Sequence, residues 1–387
     1  MRSPWRRNER RERDDVPHPA EPVAGNAGAA RAPATDAGPD GTHPEVAAAS
    51  PGGAGARGDP GVGVPGAHGA AAVGGPGAGV PGGSDADRDA AAGPGPIQPG
   101  LPRVGFVGAG RVGTALGVAF RRAGWPVTAV ASRDPGRRDA FVALVPGSKG
   151  FEAPHAVVDE SDLLFVTVPD DAISDVAAGI RLYSGQAIVH TSGVLPAAVL
   201  APAMAAGTEA GSFHPLVAFA DLDTALAALP GATVAIEGDE GLLPLLSDLA
   251  VATGARPVRV TAAGKAAHHA AAVMAAGGLV AVLDAVAELG GSAGLLGEDR
   301  LGAYLGLAGQ ALENARRLGT AGALTGPIVR GDLGTVRLHL DALRRLAPDV
   351  VPLYVALSRR AVAIAQARDG LGPERTAELL ALLASDR

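Results

Sequence analysis

The sequence predicts an α/β protein. It reads as a doubly wound, mainly parallel sheet with helices on both faces, followed by an all-α C-terminal region and preceded by a disordered tail. Three observations carry this. Between Leu101 and about residue 260, short apolar runs alternate with helical stretches, as parallel strands joined by crossover helices require. From Thr261 onward strand signals stop while helical periodicity continues. Before Leu101 neither period is present. The expected layout is 1–100 tail, 101–260 α/β domain and 261–387 helical domain.

The tail comes first. GGAGARGDPGVGVPGAHGAAAVGGPGAGVPGG is typical of it. Such a segment cannot bury enough apolar area to offset chain entropy, so disorder is expected. It lacks the strict Gly-X-Y period of collagen. MRSPWRRNERRERDD leads into PHPAEPVAG with no apolar core, which is not a secretory signal. The strand candidates that follow are PRVGFVGAG, PVTAVASRD, DLLFVTVPDD, QAIVHTSG, EAGSFHPL, ATVAIEG and RPVRVTA. Helical patterns then cover 262–290, 297–318, 332–346, 349–368 and 373–384, broken by Gly and Pro.

Composition narrows the function. The chain has 387 residues, room for two domains, and a net charge of -7, which offers nucleic acid no basic footprint. It has no cysteine, hence no disulfide, thiol nucleophile or cysteine metal site. A cytoplasmic location is expected. No run reads as a membrane span: 270–289 comes nearest, but Asp284 and Glu288 interrupt it.

VGFVGAGRVGTAL leaves an apolar strand and opens a helix. In Gly108-Ala109-Gly110-Arg111-Val112-Gly113, the first glycine allows the tight turn and the second lets the backbone approach a pyrophosphate. The third lets helix and strand pack closely. The second strand ends Ala131-Ser132-Arg133. A hydroxyl and a guanidinium suit a 2′-phosphate and favour NADP, while Asp134 keeps NAD open. Val168 and Pro169, in TVPDDAI, should lie over the cofactor; Asp170 and Asp171 read as helix caps.

Only two lysines occur, Lys149 and Lys265, among many arginines. Lysine can lose a proton at a tuned pKa where arginine cannot. Lys265 lies one helical turn from His268 and His269. That pattern suits a general acid, Lys265, that protonates a carbonyl oxygen, with His269 as helper. The alternative is an interdomain or dimer helix with ordinary polar residues. The neighbouring histidines diverge and no HExxH spacing exists, so no metal is expected. Ser192 and Gly193 in HTSG, His214 in SFHPL, His268 and Arg330 in ALTGPIVRGD are candidate substrate contacts, and Ser192 joins Lys265 and His269 as a candidate catalytic residue. Ser192 could equally cap a helix, and Arg330 could fix its loop with Asp332.

Taken together, VGFVGAGRVGTAL, TVPDDAI, HTSG, SFHPL, KAAHHAAAV and ALTGPIVRGD resemble the family with a Rossmann-like domain joined to a DUF2520 domain. The resemblance spans 101–387. It implies a Rossmann-type fold and a helical domain similar to those of 6-phosphogluconate and β-hydroxyacid dehydrogenases, which dimerise through it. It also implies a lysine at the start of its first long helix, where Lys265 stands. It makes a small 2-keto acid such as ketopantoate the leading substrate, reduced with NADP; an imine reductase of pyrroline-carboxylate type or a non-catalytic NADP sensor are the alternatives. The family's polar pair is replaced by Ala276-Gly277 within Ala275–Gly278.

Overall fold

The computed structural model describes residues 96–368 and 370–384. The expected tail lies outside the described residues except for 96–100. Eight strands form one sheet: β1 (Val104–Val107), β2 (Val127–Ala131), β3 (Lys149–Phe151), β4 (Leu163–Val166), β5 (Ala187–His190), β6 (Glu209–Pro215), β7 (Thr233–Gly238) and β8 (Arg256–Arg259). Their order is β3-β2-β1-β4-β5-β6-β7-β8. The first six in sequence run parallel, β7 runs antiparallel to β6, and β8 is parallel to β7. The three-residue edge strand β3 has no counterpart among the sequence-predicted strands. Its Lys-Gly-Phe is too short to show a period, and it is mostly exposed.

Helices cover both faces of the sheet, so its central strands read as unbroken apolar runs. All four residues of β1, β4 and β5 are buried. On one face Phe165 stacks on Phe106 at 5.4 Å and meets Phe120 at 5.3 Å and Phe213 at 5.7 Å. Phe120 comes from α1 (Arg111–Arg122), so these rings fasten that helix over β1, β4 and β6. Val107, Leu164, Val166 and Ile188 fill the other face.

The helices that follow α1 in the sheet region are α2 (Pro135–Leu144), α3 (His155–Val158), α4 (Ile173–Ala178), α5 (Leu222–Ala228) and α6 (Leu243–Ala252), and after Arg259 the regular elements among the described residues are all helical. α7 (Lys265–Val273), a π-helical turn at Met274–Gly278 and α8 (Leu279–Ser292) run as one continuous rod. Then come α9 (Asp299–Ala323), α10 (Leu333–Leu346), α11 (Val351–Ala367) and α12 (Pro373–Leu382). Ile328, Val336, Leu340, Val362 and Leu379 form their core. Asp332 caps α10, accepting from Thr335 N at 3.0 Å. α9 buries none of its residues, and Met274 and Val280 on the preceding rod are 75% and 66% exposed. Asp284 and Glu288 do not break this rod. Ala262–Ser292, with mean hydropathy 2.0, and Pro348–Ala367 are each long and apolar enough to cross a membrane by length and composition.

Candidate active site

The glycine loop is built from close backbone contacts. Gly108 has φ 112°, and a side chain there would stand 2.7 Å from Thr167 O, where β4 ends. Thr167 Oγ1 donates to Gly108 O at 2.7 Å. Gly113 packs against the same threonine. Gly110 differs: a Cβ there would meet nothing closer than Thr167 O at 4.0 Å. The protein's own packing therefore needs Gly108 and Gly113 but leaves open space above Gly110, as the approach of a pyrophosphate demands. Gly110 precedes α1 with no side-chain cap, and the first turn carries no acidic residue. Those N–H groups and the positive end of the helix dipole are thus free to receive an anion. Val112 packs into the core beneath, while Arg111 reaches Ala220 O at 3.3 Å.

At the end of β2, Ser132 Oγ accepts from Asp134 N at 3.2 Å. Asp134 in turn caps α2 (Pro135–Leu144), accepting from Arg137 N at 3.1 Å, and pairs with the Arg137 guanidinium at 3.3 Å. Its carboxylate is committed to the helix. Arg133 is exposed and forms no ion pair among the described residues. Val168 and Pro169 lie in the bend between β4 and the short 3-10 turn Asp170–Ala172. Asp170 and Asp171 do not cap a helix as expected. Asp170 instead accepts from Ser192 Oγ at 2.8 Å.

A second cluster lies beside the C-terminal end of β5. Lys265 is 1% exposed. Its Nζ donates to Ser212 Oγ at 2.7 Å and to Ser192 O at 3.0 Å. Ser192 contributes its carbonyl to the lysine while its hydroxyl holds Asp170 and accepts from Leu195 N at 3.1 Å. The serine is therefore a turn anchor, and its hydroxyl is engaged. Ser192 N donates to His190 Nδ1 at 3.1 Å. On β6, Ser212 and His214 share one face by the two-residue strand period, and Phe213 turns into the aromatic core. The sheet register sets His190 beside Ser212 and Ser212 beside Glu237. Ser212 Oγ lies 3.2 Å from Glu237 Oε2, which also accepts from Ala197 N at 2.9 Å.

The histidines gather rather than diverge. The His214 ring lies 5.6 Å from the rings of both His268 and His269. Gly193 is pressed against His214 and His269, so that any side chain there would overlap them. His214 Nδ1, His268 Nε2 and His269 Nδ1 are buried without a hydrogen-bond partner among the described residues. No group of metal-ligating side chains among the described residues could hold an ion.

Burial governs the charges. It pushes the Lys265 pKa down to about 8, against the upward pull of Glu237 and then Asp170. Burial also brings His190 down to about 4, helped by the Lys265 charge. It brings His214 to about 4, with His268 and His269 adding to the effect. Both are thus neutral imidazoles at neutral pH. Of the residues expected here, Lys265, Ser192, Gly193, His214, His268 and His269 come together. The helper role expected of His269 has no direct bond behind it, because Lys265 is held by Ser212 and Ser192. Arg330 is exposed on the loop before α10 and makes no hydrogen bond or ion pair with this cluster; its charge instead helps hold the Asp332 carboxyl below its ordinary range, behind the Thr335 hydrogen bonds. Sequence reading missed Ser212 and Glu237. The alternation in SFHPL could have placed Ser212 beside His214, and Glu237 is the only carboxylate in the apolar run ATVAIEG.

The Rossmann-like domain family matches residues 88–215, and the DUF2520 family, a domain of unknown function, matches 232–361. The chain belongs to the Rossmann-like, DUF2520 domain-containing family. The lysine cluster draws on both segments: Ser192, Ser212 and His214 from the first, Glu237, Lys265, His268 and His269 from the second. A Thermotoga maritima protein of solved structure is 25% identical to this DUF2520 chain, covering 69% of it and 99% of its own length, with TM-score 0.56. A Bacteroides fragilis protein, a candidate NADP oxidoreductase, is 23% identical over 68% of this chain and 98% of its own, with TM-score 0.56. An Aspergillus terreus imine reductase is 19% identical over 72% and 99%, with TM-score 0.52. The last two show a shared fold. No curated protein matches the sequence.

Proposed function

We propose that this chain is an NADP-dependent reductase of a small carboxylate-bearing carbonyl compound, a 2-keto acid such as ketopantoate. The observation that carries the reading is Lys265: a buried ammonium held by a hydroxyl and a carbonyl, beside the ends of β5 and β6, in the same parallel run as β1, from which the glycine loop leaves. A bound nicotinamide would supply hydride to the substrate carbon. Lys265 gives a proton to the oxygen as its charge develops; a donor with pKa near 8 is matched to that task at neutral pH. Two of its three N–H groups are bound by Ser212 and Ser192, which leaves the third for substrate. His214, His268 and His269 offer unpartnered nitrogens to the carboxylate end. Gly108, Gly110 and Gly113 with the α1 N-terminus would hold the pyrophosphate. Ser132 and Arg133 would hold the 2′-phosphate, since Asp134 is spent on its helix cap.

A proton donor suits reduction of C=O, where an alkoxide must be quenched, better than reduction of an iminium, where it has no such duty. The lysine also favours an enzyme over a sensor, because its bound partners are neutral oxygens and not an ion-pair carboxylate. The exposed apolar sides of the Ala262–Ser292 rod and α9 support pairing with a second copy. The test is NADPH oxidation by the purified full chain against ketopantoate, other 2-keto acids and a cyclic imine. Oxidation with a 2-keto acid supports the reading. Oxidation with the imine alone, or tight NADPH binding without turnover on the whole panel, counts against it.

A further inference from the structure

We propose that Glu237, acting through Ser212, is a positioning residue that keeps Lys265 charged and fixes the direction of its ammonium. The proposal rests on the reading of Lys265 as the proton donor, and it adds a residue to which nothing above gives a role in the chemistry.

Ser212 and Glu237 are direct cross-strand partners on β6 and β7, so their side chains rise from the same face. An ammonium has donors only, and a hydroxyl has one hydrogen. Ser212 must therefore accept from Lys265 Nζ, which turns its own hydrogen toward Glu237 Oε2 at 3.2 Å. The polarity of the chain from lysine through serine to carboxylate is forced by the chemistry of its members. Ala197 N, donating to the same Oε2 at 2.9 Å, pins the far end. Glu237 is half-buried, so part of its charge acts through a medium less screening than water.

The other charged or titratable groups facing Lys265 do not do this. Asp170 is bonded to the Ser192 hydroxyl, whereas the lysine is bonded to the Ser192 carbonyl. Asp170 thus shares no hydrogen-bond chain with Nζ. His190 on β5, His214 on β6 and His268 and His269 on α7 can only be neutral or positive. Any charge on them drives the lysine proton off. Glu237 is the one carboxylate linked to Nζ by continuous hydrogen bonds among the described residues.

The chain's two lysines make the test direct. The full-length protein is labelled with lysine carrying ¹³C at the ε-carbon and titrated by NMR, with Lys149→Arg identifying the second resonance. Lys265 in the parent should titrate near 8. Glu237→Gln keeps an oxygen that can accept from Ser212 and Ala197, yet removes the charge. Its Lys265 midpoint should fall by about 0.5–1 pH unit, and Asp170→Asn should produce a smaller fall. An unchanged midpoint in Glu237→Gln overturns the proposal, as does an Asp170→Asn shift of equal size. If Glu237→Gln does not fold, Ser212→Ala cuts the same chain: a lowered midpoint supports the proposal and an unchanged one overturns it. The titration needs neither cofactor nor turnover, so its failure is distinguishable from failure of the reductase reading.

Discussion

The glycine loop and the lysine cluster flank the same run of parallel strands, but they are made differently. The loop is backbone. Its geometry follows from one strand end, one threonine and three glycines within six residues. The cluster is side chains gathered from β5, β6, β7, α7 and the turn after β5, spread from His190 to His269. A local device tolerates almost any surroundings, whereas a convergent one depends on register across three strands and the approach of a helix. The first should fail locally and the second cooperatively.

Lys265→Met gives the largest separation. It should lower NADPH-dependent turnover by roughly 10²- to 10⁴-fold, the range for a lost general acid, while NADPH affinity followed by fluorescence stays at the parent value. Equal loss of binding and turnover would show that the two regions are not independent. The converse comes from the glycines. Gly108→Ala forces a side chain into positive φ against Thr167 O, so melting temperature and cofactor binding should fall together. Gly110→Ala meets no protein atom closer than 4.0 Å. Its melting temperature should hold while NADPH binding weakens. If Gly110→Ala binds NADPH normally, no pyrophosphate crosses that glycine.

A smaller effect is expected at the ribose end. Arg133→Ala should weaken NADPH binding by about 10- to 100-fold, the usual worth of a charge-assisted hydrogen bond, and leave NADH affinity unchanged. Equal losses for both cofactors would remove Arg133 from 2′-phosphate recognition.

The same contrast explains what could be read in the sequence. GxGxxG behind an apolar strand is legible because each glycine answers to a neighbour within a few positions. The strand run DLLFVTVPDD is legible because both its faces are buried. Lys265 stood out only because the chain has almost no other lysine. Its partners did not stand out, because Ser212 and Glu237 are 25 residues apart and become neighbours only through the antiparallel pairing of β6 and β7. Asp170 looked like a helix cap, since position alone cannot distinguish a cap from a carboxylate drawn to Ser192 across 22 residues. The convergence of His268 and His269 was also hidden. Adjacent helical residues point about 100° apart, yet His214 sits between their directions and touches both.

Protons give the finest test of the cluster against the rest of the molecule. With Lys265 as the proposed proton donor, the rate should decline above about pH 8, well before an ordinary lysine near 10.4 would lose its proton. The histidines act on the acid side. His190 and His214 titrate near 4 when folded and near 6.5 in the unfolded chain. Between those values the unfolded state binds more protons, so stability must rise with pH there. The stabilising contribution is present above pH 6.5 and is lost as pH falls toward about 4. Urea midpoints measured from pH 7 to 4 should therefore drop. Replacing His214 with Gln, which stays neutral, should flatten part of that drop. If the slope is unchanged in His214→Gln, the imidazole is not buried as the cluster requires, and its place beside His268 and His269 fails with it.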